Sequence, residues 1–177
     1  MENKKIEGSG LLILAVLITV AVFLMAPFLK QFEALGYFGA FIISLINSAT
    51  VLLPAPGWAI IIGMGRALDP VLLGIVAGIG AGIGELTGYL AGKGGEELLE
   101  GKIDVKAYKT QKKWLESHSF ATVFVLAAIP NPFFDIAGMT AGALRMPVWK
   151  FLLACILGKI VKFVVLAEIG ALSLIWF

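Results

Sequence analysis

The chain has one cysteine, one histidine and little charge: 15% of its 177 residues are Asp, Glu, Lys or Arg, against roughly 25% in an ordinary soluble domain. With Cys155 alone there is no disulfide framework. With His118 alone, neither a tetrahedral zinc site nor a Ser-His-Asp triad can be assembled. The expectation is therefore no metal, no cofactor and no enzyme. The net charge of +2 names no partner, and no basic cluster is interleaved with aromatics as a nucleic-acid groove requires. The same scarcity excludes a soluble globule, because with 59% of residues hydrophobic too few polar ones remain to coat a core. What is left is an all-α integral membrane protein.

What the chain does have is long apolar runs, punctuated by proline. Lys4 and Lys5 precede a run of 19 residues from Leu11 to Leu29, longer than the roughly 7–15 of a signal-peptide core. No small-x-small cleavage site precedes Lys30. Residues 1–33 thus read as a tail and a retained first transmembrane helix. The next run, 34–53, stops at Pro54-Ala55-Pro56-Gly57, and two prolines so close cannot sit inside a regular helix. Apolar character resumes for only eight residues, Trp58 to Gly65, far short of the roughly 20 needed to cross a bilayer. A re-entrant hairpin fits this pattern better than two spans. Val71 to Gly92 is 22 residues with Glu85 as its single charge and predicts a full crossing. Its glycines form two interlocking four-residue series, Gly74, Gly78, Gly82 and Gly80, Gly84, Gly88, Gly92, which predict close helix packing.

Residues 93–119 are the one polar segment, with apolar positions at loosely helical spacing. They read as an amphipathic helix on the membrane surface, a solvated connector being the alternative. Phe120 to Ile129 is broken at Pro130-Asn131-Pro132, Phe133 to Leu144 follows with Asp135 near its start, and Arg145-Met146-Pro147 leads into a last long helix, Val148 to Phe177. Trp149 and Trp176 are 27 residues apart, about 40 Å of helix, which matches the spacing of the two interfacial aromatic belts.

The two proline breaks lay onto each other. Pro54, Gly63, Ala67 and Pro70 correspond to Pro130, Gly138, Ala143 and Pro147, at offsets of 76, 75, 76 and 77. A hairpin that returns to its own side plus one crossing helix brings the second unit in from the opposite face, so the repeat is inverted. Repeat one spans 34–92, the linker 93–119 and repeat two 120–177. With the N-terminus cytoplasmic, ten basic residues face inward, six of them between Lys93 and Lys113, and only Lys30 and Arg66 face outward. Broken elements in an inverted repeat are the signature of a transporter with its site near the midplane.

Ionisable groups inside apolar segments each need a partner or a wet cavity. Glu85 and Asp135 are candidates to meet a headgroup cation or to take protons; the alternative is that they neutralise Lys159 or Lys162, or that Asp135 caps a half-helix. Glu168 and Lys162, nearer the outer end, are expected to snorkel. Asn131 sits in the second break, where it would satisfy freed backbone groups.

Ile129-Pro130-Asn131-Pro132-Phe133-Phe134-Asp135-Ile136-Ala137-Gly138 resembles the DedA/VTT (SNARE-associated) superfamily, and the run on through Gly142 to Gly158-Lys159 resembles its vacuole membrane protein-like branch. Glu85-Leu86-Thr87-Gly88-Tyr89 is similar to the superfamily's acidic-x-x-Gly-Tyr motif, and Pro54-Ala55-Pro56-Gly57 to its first proline-glycine turn. The resemblance covers about residues 35–170. It implies two membrane-inserted hairpins and movement of lipid between leaflets, of phospholipid in one branch and of polyprenyl phosphate in another, with acidic and arginine residues required. By motif, Glu85 and Asp135 are the acids and Arg145 is retained. An arginine that many DedA proteins carry before the second proline turn is replaced here by Ala127 or Ala128, which moves weight from polyprenyl phosphate toward a scramblase.

The expected function is a lipid scramblase or flippase with Glu85, Asp135, Asn131, Arg145 and Lys159 as headgroup or proton sites. Pro54, Pro56, Gly57, Pro130 and Pro132 form the hairpin breaks. A prokaryotic inner membrane is the expected location, and homo-oligomerisation is left open. A proton-coupled exporter of small solutes or drugs, or a non-transporting membrane scaffold, are the alternatives.

Overall fold

Among the described residues every regular element is an α-helix. The computed structural model describes residues 9–14, 16–17, 20, 35–49, 57–99, 119–130 and 134–172. Helices α1 (Gly36–Ala49) and α2 (Gly57–Met64) precede α3 (Pro70–Gly84), which runs through a single residue, Glu85, into α4 (Leu86–Leu99). Then come α5 (Ser119–Ala128), α6 (Phe134–Ala143) and α7 (Val148–Leu172). The expected first helix is described only at residues 9–14, 16–17 and 20, all helical. The bulk of the surface linker, residues 100–118, lies outside the described residues, as does Trp176.

Asp69 starts α3. Its side chain accepts from the Leu72 amide at 2.8 Å, and Pro70 fills the first helical position, where its missing N–H is no loss. Glu85 does not interrupt the rod: its N–H reaches the Ala81 carbonyl at 3.2 Å, and its own carbonyl accepts from Tyr89 at 3.1 Å. Pro70 to Gly95 is thus a 26-residue apolar helix by length and composition able to cross a membrane, about 39 Å long against a hydrocarbon core of about 30 Å. It was expected to stop at Gly92 but continues to Leu99. Proline is absent from this stretch, and two glycines weaken a helix by only about 1 kcal/mol each.

The rods α3–α4 and α7 cross antiparallel. Gly74, Gly78 and Gly82 lie against Val164, Ile160 and Ile156, so close that a Cβ there would overlap α7. Gly80 and Gly84 seat α1 instead, in parallel, against the carbonyl oxygens of Phe41 and Leu45. The two glycine series therefore serve two faces of one helix, and removing the side chains lets backbones meet at van der Waals distance.

The short helices are clasped onto the rods by a second set of glycines. On α7, Gly170 receives the Ile62 carbonyl, and just beyond α2 Gly65 receives that of Ala167. On α4, Gly92 receives the Met139 carbonyl, and on α6 Gly142 receives that of Tyr89. One clasp maps onto the other by a shift of 77 on the short arm (Ile62 to Met139, Gly65 to Gly142) and 78 on the rod (Tyr89 to Ala167, Gly92 to Gly170). The landmark pairing of Gly63 with Gly138 sets Met64 against Met139. Backbone contact pairs Ile62 with it instead, because the clasp constrains main-chain position and leaves residue type free.

Large apolar side chains lie on the outside. Along α7 an exposed stripe runs Trp149 (61% exposed), Leu153, Leu157, Val161, Val165 and Ile169, one residue per turn. Such a continuous face is unfavourable in water and is at home against acyl chains.

Candidate functional site

The interior holds two charged side chains. Glu85 is 2% exposed and Lys159 5%, and Lys159 Nζ donates to Glu85 Oε1 at 2.5 Å. These are the only buried charged side chains among the described residues. The pair joins the α3–α4 junction to the middle of α7. In the antiparallel register of those rods Lys159 lies level with Ile79, six residues from Glu85 and so about 9 Å along the axis. Side chains on a helix lean toward its N-terminus, and in antiparallel helices the two leans converge, which closes the gap.

Aromatic and small residues complete the surroundings. The Lys159 ammonium sits over the ring of Phe134, 4.5 Å from its centroid. A Cβ at Gly138 of α6 would fall 3.6 Å from the Phe151 ring and 3.7 Å from Glu85 Oε2, so α6 packs here through a residue without a side chain. One turn after Glu85, the Tyr89 hydroxyl donates to the Met146 carbonyl at 2.6 Å, and its ring packs on Phe151 with centroids 5.1 Å apart. Cys155, one turn before Lys159, is fully buried and free. A buried ion pair of this kind is held by geometry, since removing either partner strands the other in a low-dielectric interior.

Of the expected site residues, Glu85 and Lys159 are brought together. The partner of Glu85 is Lys159 and not Lys162, whose Nζ lies 5.4 Å from the Phe163 ring centroid. Asp135 falls in the first turn of α6. Arg145 follows α6 with φ 54, and the bonds Arg145 N–H to Gly142 O and Met146 N–H to Ala141 O close the helix in a Schellman arrangement. Glycine usually fills that left-handed position, so the arginine is kept at some cost in strain. Gly57 opens α2 against Asn47. Pro54, Pro56, Asn131 and Pro132 lie outside the described residues, and Pro130 lies after α5, exposed. Phe134 and Gly138 went unnoticed as neighbours of the charges. The signal was present in the four-residue step between them, which puts both on one face of α6. No group of His, Cys, Asp and Glu that could hold a metal occurs among the described residues.

Comparison with known proteins gives this architecture a family. The model of the VTT domain matches residues 55–172, more than half of the chain. The chain belongs to the VTT-domain family, the DedA/SNARE-associated group of membrane proteins, and vacuole membrane proteins are among its relatives. Vacuole membrane protein KMS1 of Arabidopsis thaliana is 50% identical over 52 residues, 27% of this chain and 12% of that protein. Human vacuole membrane protein 1 is 33% identical over 69 residues, 36% of this chain and 17% of that protein. The matches thus cover under a fifth of these curated relatives. The uncharacterized protein MJ0201 of Methanocaldococcus jannaschii is 28% identical over 129 residues, 72% of this chain and 79% of that one. No solved structure matches the chain.

Proposed function

We propose that the chain moves phospholipid headgroups between leaflets, as a scramblase or flippase, through a cleft between two re-entrant hairpins arranged as an inverted repeat. The carrying observation is the buried Glu85–Lys159 pair at the meeting point of the two halves. In a membrane protein intramembrane charges are costly even when paired, and they mark a functional path by default.

The hairpin reading is supported by length. α2 has 8 residues and α6 has 10, about 12 and 15 Å, at most half of what a crossing needs. The two-fold reading is supported by the two glycine clasps, in which each short arm seats on the rod of the other half with the same two contacts. The lysine bias favours a cytoplasmic N-terminus, and acyl chains would travel along the exposed apolar stripe of α7 while the headgroup crosses inside.

The test is reconstitution in phosphatidylcholine vesicles carrying a trace of acyl-NBD phosphatidylcholine, with dithionite added outside. The wild-type protein should let dithionite bleach both leaflets, and the Glu85→Ala, Asp135→Ala double variant only the outer one. Bleaching confined to the outer leaflet with wild-type protein overturns the function. Full bleaching by the double variant overturns the roles of these two residues.

A further inference from the structure

We infer, resting on the lipid-moving reading above, that the Glu85–Lys159 pair selects zwitterionic phosphate–amine headgroups over anionic ones. The pair carries one negative and one positive charge, each satisfied by the other at 2.5 Å and both sealed from water. A headgroup can enter only by taking the place of the partner that each charge loses, since neither tolerates being left alone in this interior. A zwitterion brings both replacements at once. Its phosphate takes Lys159, and its amine takes Glu85, whose Oε2 faces Gly138 of α6 beside the Phe151 ring. The Phe134 ring, already serving as a bed for a cation at 4.5 Å, suits an ammonium or a choline equally well. A headgroup bearing phosphate alone satisfies Lys159 but strands Glu85, and no other buried cation among the described residues is there to take it.

The experiment compares acyl-NBD phosphatidylcholine with acyl-NBD phosphatidylglycerol, each as a trace in phosphatidylcholine vesicles containing the full chain. Inner-leaflet bleaching should be at least tenfold faster for the choline lipid. Glu85→Gln, close in shape, leaves Lys159 as a lone cation and should reverse the ratio in favour of the glycerol lipid. The charge-swapped Glu85→Lys, Lys159→Glu protein keeps one charge of each sign and should keep the choline preference. Wild-type protein that moves both probes at equal rates overturns the inference while leaving lipid movement intact; wild-type protein that moves neither overturns the function itself. An unchanged ratio in a Glu85→Gln protein that still moves lipid also overturns the inference. Should Glu85→Gln fail to elute as a monodisperse peak in detergent, the wild-type ratio and the swapped protein still decide.

Discussion

The two clasps have the same backbone geometry and different contents. Around the α2–α7 clasp lies an apolar cluster with Ala40, Ile61, Leu73, Phe163 and Leu166, and neither buried charge of the described residues belongs to that side. A polar tie on that side is the exposed bond from the Asp69 amide to the Tyr37 hydroxyl at 3.1 Å. Around the α6–α4 clasp lie the buried ion pair, the Phe134 ring and the Tyr89 bond to Met146. A shared scaffold has thus been filled for cohesion on one side and for polarity on the other. In the proposed lipid movement α6 would serve the headgroup while α2 holds the rods together.

This contrast breaks most sharply at the ion pair. Glu85→Ala should lower stability by about 3–5 kcal/mol by leaving Lys159 buried and unpaired, whereas the Glu85→Ala, Lys159→Ala double variant should lose markedly less than the sum of the single losses. Thermal unfolding in detergent measures both. Next come the glycines. Gly170→Val and Gly92→Val push a side chain into a carbonyl and should cost about 3 kcal/mol each, alike in both clasps, since the contact geometry is alike. Unequal melting temperatures for this pair would dissolve the equivalence of the two clasps.

Smaller effects sharpen the same comparison. Tyr89→Phe removes a buried bond and should destabilise by about 1 kcal/mol. Tyr37→Phe, losing an exposed bond, should fall well below that in the same melt. Arg145→Gly should raise the melting temperature slightly, by the equivalent of about 0.5–1 kcal/mol, because glycine adopts φ 54 without strain. If lipid movement falls while stability rises, the arginine is kept for its side chain.

Much of this was legible before the structure. Proline breaks located the short arms, the two glycine series located the contacts of α3 with α1 and α7, and the rarity of charge narrowed the interior candidates to Glu85, Asp135, Lys159, Lys162 and Glu168. The choice of Lys159 over Lys162 was not legible: the two are three residues apart on one helix, and which meets Glu85 depends on the register between α3 and α7, a property of two segments far apart in the chain. The strained backbone at Arg145 was equally hidden, as nothing in Leu144-Arg145-Met146 signals a left-handed residue. The landmark offset of 75 at Gly63 differs by two from the offset of 77 between the contacts of Ile62 and Met139, because matching letters compete with matching positions.

The lone thiol of Cys155 offers a clock. It is shut away one helical turn from Lys159, and it is the chain's sole cysteine. A maleimide that reaches it must wait for the packed centre to part. Its rate of labelling in vesicles, with and without a lipid that engages the pair, would report how often the molecule opens, with no added tag.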